Sequence, residues 1–144
     1  MKTTKQENII IIRMDNKEEI FSNLEKTFTK YKLQSAVILS GIGMMQRVKL
    51  GYFTGKGSYK GTKYVGYFEI VGFSGSLLKT REEEFKAHIH TVLSKKNKKT
   101  VGGHLVEGFV FNTLELFLLD LKTDKIYRKL NPKTELFGLE IDES

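Results

Sequence analysis

The sequence predicts an α+β domain in which a largely antiparallel, sandwich-like sheet of seven or eight strands carries one main helix. Three observations predict it. Short apolar segments with strand-like alternation recur along the whole chain, joined by brief Gly-, Lys- or Asn-containing connections. One segment alone, Ile20 to Tyr31, repeats its apolar residues at helical spacing. The segment TLELFLLDL is apolar on both of its faces, which one helix on one sheet does not cover. Either two sheets pack face to face or another subunit lies against one side.

The elements follow in order. Residues 8–14, NIIIIRM, read as a strand covered on both sides. Asp15 with Glu18 three residues later has the spacing of a capping box. Ile20, Phe21, Leu24, Phe28 and Tyr31 then form one apolar stripe, a core-packing face, with Lys26, Lys30 and Lys32 around the helix end, where cations suit the dipole. Residues 35–42 form a second strand, with Gly41 and Gly43 ending it in a turn or bulge. Residues 47–54 alternate as a third. GKGSYKGTK follows as a loop; it holds neither of the glycine patterns that cradle phosphate and reads as a solvated hairpin connection. Residues 64–73 make a long strand with Val65, Tyr67, Glu69 and Val71 on one face, and residues 75–79 a short one. FKAHIHTVL is a strand, and Ser94 to Thr100 is its hairpin tip. Strands over 103–111 and 113–121 are separated by a minimal turn at Asn112. A turn at 123–125 leads to the closing strand IYRKL, and the tail ELFGLEIDES docks through Leu136, Phe137 and Leu139.

The chain has 144 residues and is expected to be a single domain over 1–144. It has no cysteine, so no disulfide supports the fold; this fits a reducing cytoplasm. The N-terminal apolar run is too short for a signal segment or a membrane span, so a soluble, unprocessed, cytoplasmic protein with no membrane partner is expected. The net charge of +7 and pI of about 9.5 permit a polyanionic partner without requiring one.

All three histidines lie between Phe85 and His104. His88 and His90 are two apart in a strand, so both imidazoles leave the sheet on one side, with Cα atoms roughly 7 Å apart. His104 ends VGGH, where Gly102 and Gly103 permit a bulge or a close backbone approach. Three neutral imidazoles without cysteine suit zinc or a similar divalent ion and leave a fourth position open. The same residues also describe a polar strand face with unliganded histidines. Glu69, one acid in an apolar strand, is either a candidate general base or orienter for such a site, or a paired, partly buried carboxylate. Lys95, Lys96, Lys98 and Lys99 form the best local contact for nucleic-acid phosphate, and equally suit a solvated hairpin tip.

The segments SAVILSGIGMMQRVKLGYF, GYFEIVGFSGSL, HIH and GGHLVEGFVFNTLEL, with the region of Arg128, resemble the PPC domain family, named for plants and prokaryotes, over about residues 9–138. The resemblance implies an α+β fold assembled as a homotrimer, with metal, usually zinc, at His88, His90 and His104. It places the chain beside stand-alone prokaryotic members that carry a DNA-binding label. Plant members combine the domain with AT-hooks and contact nuclear factors; here no Arg-Gly-Arg-Pro core occurs, and Tyr67 stands where the plant segment has arginine. Two functions follow as expectations. One is a metal-containing homotrimeric binding or regulatory module, contacting DNA non-specifically through basic loops or contacting a regulatory protein. The other is a zinc-dependent enzyme or small-molecule binder that uses the open three-histidine site, with Glu69 as base.

Overall fold

The computed structural model describes residues 1–143. Among these, eight strands and one helix follow in the order β1 (Lys2–Gln6), β2 (Ile9–Asp15), α1 (Ile20–Lys30), β3 (Ser35–Gly55), β4 (Ser58–Lys79), β5 (Phe85–Ser94), β6 (Thr100–Asp120), β7 (Ile126–Asn131) and β8 (Leu136–Ile141). Six form one antiparallel sheet in the order β1-β2-β6-β3-β4-β5, and β7 with β8 forms a separate ribbon. The largely antiparallel, sandwich-like sheet expected from the sequence is one six-stranded sheet that curls, with the two-stranded ribbon separate from it. β5 pairs with β4 along one edge and with β6 along the other, closing β6-β3-β4-β5 into a ring.

Long, bent strands make this closure. The expected strands 35–42 and 47–54 are one 21-residue strand, β3. Residues 103–111 and 113–120 belong to β6, and residues 64–73 and 75–79 to β4. The glycine and asparagine signals mark bulges, not ends. Register slips between Ile38 and Ser40 and between Gly43 and Met44, and Asn112 takes φ 60° within a continuous β6. A bulge adds residues to one strand and bends it without breaking the ladder. The Gly/Lys segment is likewise mostly strand: Tyr59 to Lys63 pair with Phe53 to Lys49, leaving a tight connection at Gly55–Ser58.

Helix α1 starts later than its capping-box spacing suggests. Its N-cap is Glu19, whose carboxylate accepts from the backbone N–H of Phe21 (3.1 Å) and Ser22 (2.7 Å). Glu18 does reach back to the Asp15 N–H at 2.7 Å, but this closes the preceding turn. The predicted stripe is core: Ile20, Leu24 and Phe28 are buried, with Phe21 and Tyr31 packed at its margin. The stripe covers the concave side of the sheet, where Ile10, Ile12, Met14, Leu114, Leu116 and Leu118 point inward. The same cluster continues into the ring through Met45, Phe68, Ile89, Leu93 and Leu105.

The isoleucine strand is fully buried on one face only; Ile9 and Ile11 keep partial exposure. Its other neighbour is β1, an edge strand of polar residues that carries no apolar pattern. The C-terminal tail does not dock as a loose segment but pairs as β8 along β7. The convex side of the sheet is left bare, with Ile42, Val65, Tyr67 and Val71 each more than half exposed. No helix among the described residues is long and apolar enough to cross a membrane.

Candidate metal centre

The ring closure builds the site. β5 places His88 and His90 on its outer side, because Ile89, Thr91 and Leu93 are drawn into the core. β6 then pairs with β5 so that His104 stands directly across from His90. Two close backbone approaches make that geometry. A Cβ on Gly103 would lie 3.0 Å from the Gly51 carbonyl oxygen. A Cβ on Gly75 would lie 2.2 Å from the His88 carbonyl oxygen, so β4 fits under β5 only with glycine there.

The three imidazoles converge as their spacing predicts. One nitrogen from each lies within 4.8 Å of the others, and the Nε2 atoms of His88 and His90 are 3.1 Å apart. Two nitrogens bound tetrahedrally at about 2.0–2.1 Å from one ion would stand about 3.3 Å apart. The electrostatics also suit a metal. Burial, helped by the charge of Arg128 and by the other two histidines, lowers the His88 pKa to about 4. Burial lowers His104 in the same direction. Neutral imidazole is the form that ligates. His104 stacks on Tyr59 at 4.7 Å, and its Nδ1 is buried with no hydrogen-bond partner. A buried ring nitrogen without a partner is costly. The donor set therefore fits zinc or a similar divalent ion held by His88, His90 and His104, which would supply a Lewis-acidic centre with an open position.

The other sequence candidates lie apart from this centre. Glu69 is exposed on the convex face, opposite Ser94, while His90 lies opposite Ser74. The four residue steps along β5 from His90 to Ser94 span about 13 Å, so Glu69 does not reach the imidazoles of its own chain. The lysine segment is the β5–β6 hairpin tip. Lys98 N–H donates to the Lys95 carbonyl (2.8 Å), Lys95 N–H to the Lys99 carbonyl (2.9 Å), and Lys98 takes φ 66°. Lys96, Lys98 and Lys99 are exposed, and the Lys95 ammonium lies 5.6 Å from the Tyr64 ring centre. Lysines and histidines thus occupy opposite ends of one hairpin.

Spacing alone did not reveal Ser76 and Arg128. Ser76 pairs with His88 across β4 and β5, and its Oγ accepts from Arg128 Nη2 at 2.6 Å. Arg128 lies in a short strand of the separate ribbon and is only 6% exposed. A lone arginine in IYRKL has the pattern of a surface residue, and only the packing of β7 beside β4 buries it.

Three solved structures share this architecture. A PPC protein from Pyrococcus horikoshii is 29% identical, with a TM-score of 0.84 over 99% of this chain and 96% of its own. A metal-containing protein from Archaeoglobus fulgidus is 26% identical, with a TM-score of 0.80 over 95% and 94%. A candidate DNA-binding protein from Bacteroides thetaiotaomicron is 23% identical and shares the fold, with a TM-score of 0.89 over 97% and 96%. No curated protein matches the sequence. The model of the Plants and Prokaryotes Conserved (PCC) domain matches residues 1–122, which include all three histidines and end before Arg128. With its curled sheet, its single helix and that match, the chain belongs to the Plants and Prokaryotes Conserved domain family.

Proposed function

We propose that this protein is a zinc-binding, homotrimeric regulatory module of the cytoplasm that contacts DNA through backbone phosphates. The observation that carries the metal reading is the convergence of three imidazoles within 4.8 Å. The metal-containing relative from Archaeoglobus fulgidus supports it. Trimer formation is supported by the bare convex face, where Ile42, Val65, Tyr67 and Val71 are each more than half exposed and a subunit contact would cover them. DNA contact is supported by the net charge of +7 and by the lysine hairpin tip. Such contact is phosphate-led and indifferent to sequence, because no element among the described residues is a recognition helix of the kind that reads base edges.

The binding module is preferred to a zinc-dependent enzyme because the three-histidine group contains no carboxylate among the described residues. A zinc-dependent enzyme at this site would have to activate water through the ion alone, with no general base of the chain's own beside it. Elemental analysis of protein purified without a histidine tag should find about one zinc-class ion per chain, lost on replacing His104 by Ala. Protein that stays metal-free after incubation with zinc and desalting would end the reading.

A further inference from the structure

On the open side of the histidine cluster, Ser74 stands across from His90 and Ser76 across from His88. With Gly75 these residues line a shallow hollow of about 230 Å³. Behind Ser76 lies the Arg128 guanidinium. It donates to Ser76 Oγ (2.6 Å) and to the Phe137 carbonyl (3.3 Å), and its Nε is buried without a partner. Among the described residues Arg128 forms no ion pair. The nearby Glu84 shares a cavity of about 500 Å³ with Arg128 but pairs with Lys86 at 3.0 Å.

A buried guanidinium without a counter-charge is costly, and evolution usually pairs or neutralises it. Here the charge is passed to a hydroxyl. Ser76 Oγ already accepts from Arg128, so its own O–H is free to donate elsewhere. The accessible side is the hollow shared with His88 and His90. A divalent ion on the three imidazoles would add a second positive centre on the same side, again with no carboxylate in the group.

Resting on the metal reading above, we propose that this hollow binds a small carboxylate. One oxygen occupies the position that His88, His90 and His104 leave open, and the other accepts from the Ser76 hydroxyl. Arg128 is a positioning residue: it orients and polarises Ser76 and supplies the long-range counter-charge. Carboxylate is favoured over phosphate because the hollow, lined by the paired strands β4 and β5, offers one oriented hydroxyl. It has neither the glycine-rich amide cradle nor the lysine that phosphate sites use.

The test uses full-length protein loaded with cobalt(II), whose visible absorption reports changes at the ion. Sodium acetate is titrated at constant ionic strength, with inorganic phosphate and a short DNA duplex in parallel. Acetate should shift the spectrum saturably. Ser76→Ala should weaken acetate binding about tenfold, as expected for one charge-assisted hydrogen bond, while cobalt affinity measured by chelator competition stays within about twofold. Arg128→Lys, which keeps the charge but loses the planar fork, should weaken acetate without releasing cobalt. A spectrum unmoved by acetate, or Ser76→Ala binding it as the parent does, overturns the proposal and leaves the metal reading standing. If phosphate or the duplex produces the larger, Ser76-dependent change, the carboxylate assignment is wrong. Failure to bind cobalt at all defeats the metal reading, and this inference with it.

Discussion

Replacing Gly75 by alanine should damage the metal centre from a position that touches no metal. The added Cβ would lie 2.2 Å from the His88 carbonyl oxygen and 2.9 Å from the Ile89 Cα. An ordinary carbon–oxygen contact is about 3.2 Å, so β4 and β5 must part by roughly 1 Å. Backbone offers no rotamer to relieve the clash, which places the cost at about 1–3 kcal/mol, the usual range for overpacking. For a chain of this size that is a fall in Tm of about 3–10 °C. The effect on metal should be larger than the effect on stability. Ligand nitrogens must sit within about 0.2 Å of their places, and a 1 Å displacement of the His88 backbone exceeds that severalfold. Zinc affinity, measured by competition with a chromophoric chelator, should drop about 10- to 100-fold, the range seen when the supports of metal ligands are removed. Gly72→Ala is the control on the same strand, since a Cβ there meets Val92 only at 3.9 Å. It should leave both quantities unchanged. A Gly75→Ala protein with parental Tm and parental zinc affinity would refute the claim that this close approach sets the histidine geometry.

Chelator treatment should lower Tm in the parent protein and leave His88→Ala/His104→Ala unchanged; at free zinc about 1,000-fold above Kd the difference corresponds to about 4 kcal/mol. A parent whose Tm ignores both zinc and chelator would count against metal as a structural ligand. Tyr67→Lys with Val71→Lys places two charges on the exposed convex face, where both side chains are more than 60% exposed. Light scattering should shift from three chain masses to one while the far-UV circular dichroism is kept; a parent that is already monomeric at micromolar concentration refutes the trimer. Changing Lys95, Lys96, Lys98 and Lys99 to Gln should weaken DNA binding and flatten its salt dependence, by about 0.9 in the log–log slope for each phosphate the tip no longer neutralises. A full slope in that variant would make the tip a solvated hairpin end, and a thousandfold preference for one duplex would reveal a base-reading element.

Local physics wrote part of this protein into its sequence. The period of the apolar residues was enough for the helix stripe of Ile20, Leu24 and Phe28, because a helix face repeats within a few residues. The two-residue spacing was enough to send His88 and His90 to one side of a strand. Alternation in 64–73 likewise separated the buried Phe68 from the exposed Val65, Tyr67 and Val71. What the chain did not disclose locally was continuity and closure. Gly41, Gly43 and Asn112 have the composition of turns, yet a bulge and a turn draw on the same residues. Only pairing with a neighbouring strand decides whether the chain bends or reverses. The polar β1 had no apolar face to betray it, and its place depends on the edge that β2 offers. The hairpin tip at Ser94 to Thr100 announced that β5 and β6 pair, but only the paired strands fixed the register that sets His104 opposite His90. Tertiary structure alone moved Glu69 about 13 Å along the strand from the imidazoles. It alone buried Arg128 behind Ser76, 52 residues away in sequence, because a side chain's burial is decided by what packs against it and not by its neighbours in the chain.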